Sequence, residues 1–119
     1  MSCNVCNNTV GSGKVAVIGA GNVGSSAAFA MMIDGVACQI SLIDLNKEKA
    51  IGEALDLSHG MQFTRSTKIL ASDSFELVKD AEVIVISAGY AQKPGQSRVD
   101  LLAKNVEVFS QIIPKITRF

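Results

Sequence analysis

Val15-Ala-Val-Ile-Gly19-Ala-Gly21-Asn-Val-Gly24 is a short apolar run that breaks into GxGxxG, and Asp44 follows twenty residues beyond Gly24. Glycines gather in turns for many reasons, so the context carries the reading. Lys14–Ile18 is a β-branched run suited to a buried parallel strand, and 22–34 is a small-residue, apolar segment of helical length. Strand, glycines and helix come in the order that a dinucleotide site requires. In such a unit Gly19 permits the tight turn, Gly21 lets backbone approach a pyrophosphate, and Gly24 lets helix and strand pack closely. The first-turn amides, those of Asn22 and Val23 among them, then face the phosphates. The next strand, 39–44, places the Asp44 carboxylate at its C-terminal end, where it can accept both hydroxyls of an adenine ribose. NAD is expected over NADP, because a 2′-phosphate would meet the charge of Asp44 with no arginine beside it. Two rival readings stay open: glycines that only shape a turn, and a methyltransferase or flavin enzyme with a similar loop.

Composition bounds the remaining possibilities. The chain has 119 residues, 48% of them hydrophobic, with a mean hydropathy of +0.31, so it can bury one core. Eleven basic and eleven acidic residues cancel, and no Lys/Arg block stands out. Small molecules and protein are therefore the expected partners, with neither nucleic acid nor membrane among them. The first ten residues carry no basic n-region and no apolar h-region, and no run approaches membrane-spanning length. A cytoplasmic protein is expected, with Cys38 a buried free thiol ahead of an apolar strand. Cys3 and Cys6 form a CxxC with no second pair and no nearby histidine. They are assigned to a flexible tail, 1–13, and no metal site is expected. Gly13-Lys14 does not make a P-loop, since Asn8 stands where the first glycine belongs, Val15 replaces Ser/Thr, and the segment precedes the strand.

Strand and helix patterns alternate along the rest of the chain, the signature of a parallel sheet with helices on its faces. Residues 45–61 read as a second helix with a buried stripe of Ala50, Ile51, Ala54, Leu55 and Ser58. Residues 67–71 read as a third strand, 75–79 as a short helical link and 82–87 as a strongly apolar fourth strand. Right-handed crossovers predict a doubly wound α/β sheet in the order 3-2-1-4. Residues 99–119 read as a helix with Leu102, Val106, Phe109, Ile113 and Ile116 on one face, which Pro114 should bend or end. A Val-Ile-Val-Ile strand calls for neighbours on both sides, and so apolar a helix face calls for a cover. The chain is expected to be part of a longer protein.

Between the fourth strand and the last helix lies a long polar connection, 88–98, at the carboxyl end of the sheet, where open α/β folds bind ligands. Ala88 and Gly89 would bring backbone up to the cofactor, and Pro94-Gly95 marks a turn. Gln92 and Arg98 are its side chains suited to reading a small polar substrate. The plain alternative is an exposed loop whose Arg98 caps the helix or pairs with Asp100.

Ile18-Gly-Ala-Gly-Asn-Val-Gly24, Asp44, Gly52-Glu-Ala-Leu-Asp-Leu57, Ser87-Ala-Gly89 and Gln92-Lys-Pro-Gly-Gln-Ser-Arg98 resemble, in order and spacing, the amino-terminal part of the lactate/malate dehydrogenase family. The resemblance runs from about Lys14 to Phe119. It implies a partial Rossmann domain over 14–119, with the substrate loop at 89–98 and the rest of the sheet and the substrate domain lying elsewhere. By the same resemblance Arg98 polarises the keto oxygen and stabilises the charge that develops as hydride arrives. Gln92 would discriminate substrates: an arginine there would pair with the second carboxylate of oxaloacetate, whereas glutamine tolerates the methyl of pyruvate. That tips the expectation toward L-lactate and pyruvate. Asn105 is placed near the nicotinamide, and a homodimer or homotetramer is expected. The family's proton donor is a histidine, and His59, at a helix end, is assigned a structural or surface role. The chain alone is therefore expected to be inactive. A malate dehydrogenase and a non-catalytic NAD-binding module remain as alternatives.

Overall fold

The computed structural model describes residues 13–119. The expectations for Cys3, Cys6 and the amino-terminal tail lie outside these residues. Four parallel strands, β1 (Lys14–Ile18), β2 (Gln39–Ile43), β3 (Lys68–Ser72) and β4 (Val83–Ile86), form one sheet in the order β3-β2-β1-β4. Val15 pairs with Ile40 on one side and Val83 on the other, and Ile40 pairs with Ile69. Helix α1 (Asn22–Asp34) links β1 to β2, α2 (Lys47–Gly60) links β2 to β3, and α3 (Arg98–Ile116) follows β4. A 3-10 turn at Phe75–Val78 joins β3 to β4. Strand order and parallel sense agree with the sequence-based expectation.

The two-residue alternation of strands assigns the faces. Val15, Val17, Ile40 and Leu42 point to one side, where Ala28 and Met32 of α1 and Ala54 and Leu57 of α2 cover them. Ala16, Ile18 and Ile43 point to the other, against Val78 and Ile112, with Phe75 and Ile116 packed around them. Complete burial of Met32, Ile40, Leu42 and Val17 is worth roughly 1.5–3 kcal/mol each. Helices on both faces leave β2 buried along its whole length, which is why Gln-Ile-Ser-Leu-Ile reads as an unbroken strand with little surface pattern.

Three local expectations are corrected. The buried residues of α2 are Ala50, Ala54 and Leu57, whereas Ile51 and Leu55 are 39% and 54% exposed. Both stripes have helical spacing, and the small alanines win because α2 lies close against the sheet. Pro114 does not itself end α3, for the helix continues two residues further, to Ile116. Its missing N–H falls in the last turn and costs one bond, to the carbonyl of exposed Ser110. Cys38 is buried as expected, but it is disulfide-bonded and not a free thiol. Burial sets how a cysteine packs, while its oxidation depends on a second sulfur within reach.

The apolar face of α3 is uncovered here, with Leu102, Val106, Phe109 and Ile113 exposed by 38–63%. Helix α2 offers a test of local energetics at Gly52, where an added Cβ would meet nothing within 4 Å. Gly52→Ala is expected to raise stability by about 0.5–1 kcal/mol, since alanine restricts the unfolded chain and suits a helix interior. Urea unfolding checks this.

Candidate cofactor cleft

The glycine turn between β1 and α1 is held from three sides. The Gly19 amide donates to Ile43 O at 2.7 Å, Ser87 Oγ donates to Gly19 O at 2.9 Å, and the Ser87 amide donates to Ile18 O at 2.8 Å. Gly19 has φ +103°, and a Cβ on it would meet the backbone of Ala88 at 2.7 Å. The crowding is greater at Gly24, in the first turn of α1, where a Cβ would lie 1.8 Å from Gly19 O. Gly21 differs, because a Cβ there would meet nothing within 4 Å and the residue lines an open cleft. This is the space a pyrophosphate needs. Helix α1 has neither a capping side chain nor an acidic residue in its first turn, so its leading amides remain available to an anion.

Asp44 follows β2 directly. Its Oδ2 accepts the Ala20 amide at 2.8 Å and its Oδ1 accepts the Asn46 amide at 2.9 Å. These two bonds tie the ends of β1 and β2 together and orient the carboxylate. Each oxygen keeps a lone pair free, enough for two ribose hydroxyls.

The cleft measures about 330 Å³ and runs along the carboxyl ends of β1, β2 and β4. Gly19, Gly21, Asp44, Ala88 and Gly89 all line it, so five of the residues picked from sequence converge. Gly24 sits behind it as a packing contact, and Asn22 and Val23 occupy exposed positions in the first turn of α1. Asn105 lies outside the lining but acts on it, since its Oδ1 accepts the Tyr90 amide at 2.9 Å. That bond fastens the loop after Gly89 to the middle of α3.

Gln92 and Arg98 stand apart from the cleft on the exposed loop. Gln92 Nε2 donates to Gln96 O at 2.9 Å, and the Lys93 amide donates to Gln96 Oε1 at 3.2 Å, across a turn that Gly95 completes. Arg98 is the first residue of α3, and Ser97 caps that helix, accepting the Asp100 amide at 3.2 Å. Asp100 Oδ2 accepts the Ser97 hydroxyl at 2.6 Å. Among the described residues no ion pair involves Arg98. Its guanidinium therefore remains available to a substrate. His59 is exposed in the last turn of α2 and does not line the cleft.

Sequence reasoning passed over other lining residues, among them Lys49, Phe75, Tyr90, Gln111 and Lys115. Phe75 opens the 3-10 turn after β3, at the carboxyl edge of the sheet, and that position was the available signal. Lys115 and Gln111 line the cleft from α3, a placement set by how that helix packs on the sheet.

A parallel sheet in this order, with a glycine turn, an anchored aspartate and a cleft at its carboxyl edge, defines a dinucleotide-binding α/β protein. Comparison with known proteins narrows the class: the family described as lactate/malate dehydrogenase, NAD binding domain, matches residues 13–119. The chain belongs to the lactate/malate dehydrogenase family. It is 47% identical over 106 residues to an L-lactate dehydrogenase of Thermoanaerobacterium saccharolyticum, covering 89% of this chain and 34% of that protein. The ligand-bound minor L-lactate dehydrogenase of Enterococcus mundtii superposes with a TM-score of 0.83 at 42% identity, over 88% of this chain and 33% of that one. The NADH complex of Archaeoglobus fulgidus malate dehydrogenase gives 0.84 at 38% identity, over 88% and 36%. The chain thus spans about a third of the length of the relatives it matches.

Proposed function

We propose that residues 14–119 are part of the cofactor domain of an NAD-dependent L-lactate dehydrogenase, interconverting L-lactate and pyruvate by hydride transfer. The observation that carries this is the anchored Asp44 carboxylate, tied to the glycine turn and lining the same cleft as Gly21. It suits an adenine ribose at one end, a pyrophosphate on the α1 amides, and a nicotinamide toward Ala88, Gly89 and Asn105. Bound there, NAD supplies the hydride acceptor and NADH the donor.

The chain's own residues then divide the work. Asp44 orients the ribose, and the first turn of α1, including Asn22 and Val23, offsets the phosphate charge. Ala88 and Gly89 bring backbone close to the nicotinamide side, and Asn105 holds that backbone in place. Arg98 would stabilise the negative oxygen that develops at the keto carbon. Gln92 supports pyruvate over oxaloacetate because a neutral amide gives no partner to a second carboxylate. The similarity to a malate dehydrogenase keeps oxaloacetate as the second reading.

A proton donor is required as well, and His59 is not placed to be one. We therefore expect this chain to bind NADH without turning over pyruvate. Titration of NADH fluorescence checks the first half, and loss of absorbance at 340 nm with pyruvate checks the second. No NADH binding would sink the cofactor assignment. In a polypeptide of the family's full length carrying this segment, Gln92→Arg should shift kcat/KM from pyruvate toward oxaloacetate by about tenfold or more. An unchanged ratio would remove Gln92 from the specificity role.

The uncovered faces of α3 and α2 support assembly into a homodimer or homotetramer. Sedimentation of the full-length polypeptide checks this. A cytoplasmic setting goes with the reading, because pyruvate from glycolysis and NADH meet there. Fractionation of the native source tests it.

A further inference from the structure

At the outer end of the cleft, two residues from distant parts of the chain meet. Phe75 opens the 3-10 turn after β3, Lys115 lies in the last turn of α3, and the ammonium sits 5.4 Å from the ring centroid. Both line the cleft. Lys115 has no carboxylate partner among the described residues, and the nearby Asp73 pairs instead with Lys47 at 3.5 Å. The ring is therefore what holds the Lys115 head group. Elsewhere α3 rests on the sheet through one buried side chain, Ile112, with Val108 and Ile116 partly buried beside it. Phe75, Ile112 and Ile43 belong to one apolar cluster and are among the apolar residues of the cleft that Asp44, next in sequence to Ile43, also lines. A flat, apolar slot next to a ribose-binding carboxylate fits a purine.

We propose that Lys115 is a positioning residue for the adenine end of the dinucleotide, its ammonium clasping α3 to Phe75 and so holding the walls of the purine slot together. The proposal rests on the NAD reading above. A cation over a partly buried ring attracts it moderately, so the expected effect is small but specific.

The test compares NADH with reduced nicotinamide mononucleotide, which lacks the adenosine half, by fluorescence titration of the 119-residue chain. Lys115→Met keeps the stem and removes the charge. It should raise the Kd for NADH about two- to fivefold and leave mononucleotide binding unchanged. Lys115→Arg should restore NADH affinity. In a Phe75→Leu background, Lys115→Met should cause no further loss, since the partner ring is gone. Equal weakening of both ligands, an undiminished effect without the ring, or unchanged NADH affinity would each overturn the proposal. If the wild-type chain binds no NADH, the cofactor assignment fails and takes this inference with it. Loss of NADH binding by the wild type is thus distinct from insensitivity to Lys115.

Discussion

Gly24→Ala should destabilise the chain by at least about 3 kcal/mol, a large part of the roughly 5–15 kcal/mol that holds a domain together. A methyl at this position would lie 1.8 Å from Gly19 O and 2.6 Å from Ser87 Oγ. The first of these is backbone, fixed by the turn at Gly19, so no rotamer change relieves the clash. Helix α1 would have to move away from β1, opening the core around Ala28 and Met32. The same shift would pull the α1 amides away from the cleft. Urea unfolding followed by circular dichroism should show a lower midpoint, and NADH binding should fall in parallel. Gly52→Ala provides the contrast, because the same exchange in a helix with open space should stabilise. A Gly24→Ala protein as stable as wild type would mean that the close packing of α1 on the glycine turn is wrong.

Asp44→Ala should weaken NADH binding by about 2–3 kcal/mol, a 30- to 150-fold rise in Kd, with a much smaller loss of stability. The carboxylate would accept hydrogen bonds from two ribose hydroxyls on its remaining lone pairs, and bonds to a charged acceptor are stronger than neutral ones. Its removal also frees the Ala20 and Asn46 amides, which loosens the glycine turn over the pyrophosphate. NADPH should bind wild type more weakly than NADH, and the gap should narrow in the variant as the repelling charge disappears. Paired titrations with the two cofactors measure both effects. Unchanged NADH affinity in Asp44→Ala would place the ribose elsewhere.

The legible features have local causes. The glycine turn showed in the sequence because Gly19 adopts a backbone conformation that side chains disfavour, and Gly24 sits where none fits. Asp44 showed because it ends a strand whose length the apolar run defines. The loop after β4 showed by its polarity, yet the internal bonds of Gln92 and Gln96 did not, since amide partners depend on the turn's shape. The α2 stripe was misjudged for a related reason. Ile51 and Leu55 satisfy helical spacing as well as Ala50 and Ala54 do, and hydrophobicity alone favours the larger residues.

The state of Cys38 was out of reach of local pattern altogether. A buried position before a strand describes both a free thiol and a bonded one, and only the approach of another sulfur separates them. The same holds for Lys115 on Phe75, forty residues apart in the chain.

By itself the sequence determined the strand order, the parallel sense, the glycine turn and the aspartate that follows β2. Apolar period, chain connectivity and the absence of a Cβ act over a few residues and leave little choice. The tertiary structure alone decided which face of α2 is buried, how Asn105 fastens the backbone after β4, and which side chains of α3 close the cleft. Those depend on the packing distance and crossing angle of helices against a twisted sheet, to which many distant contacts contribute at once.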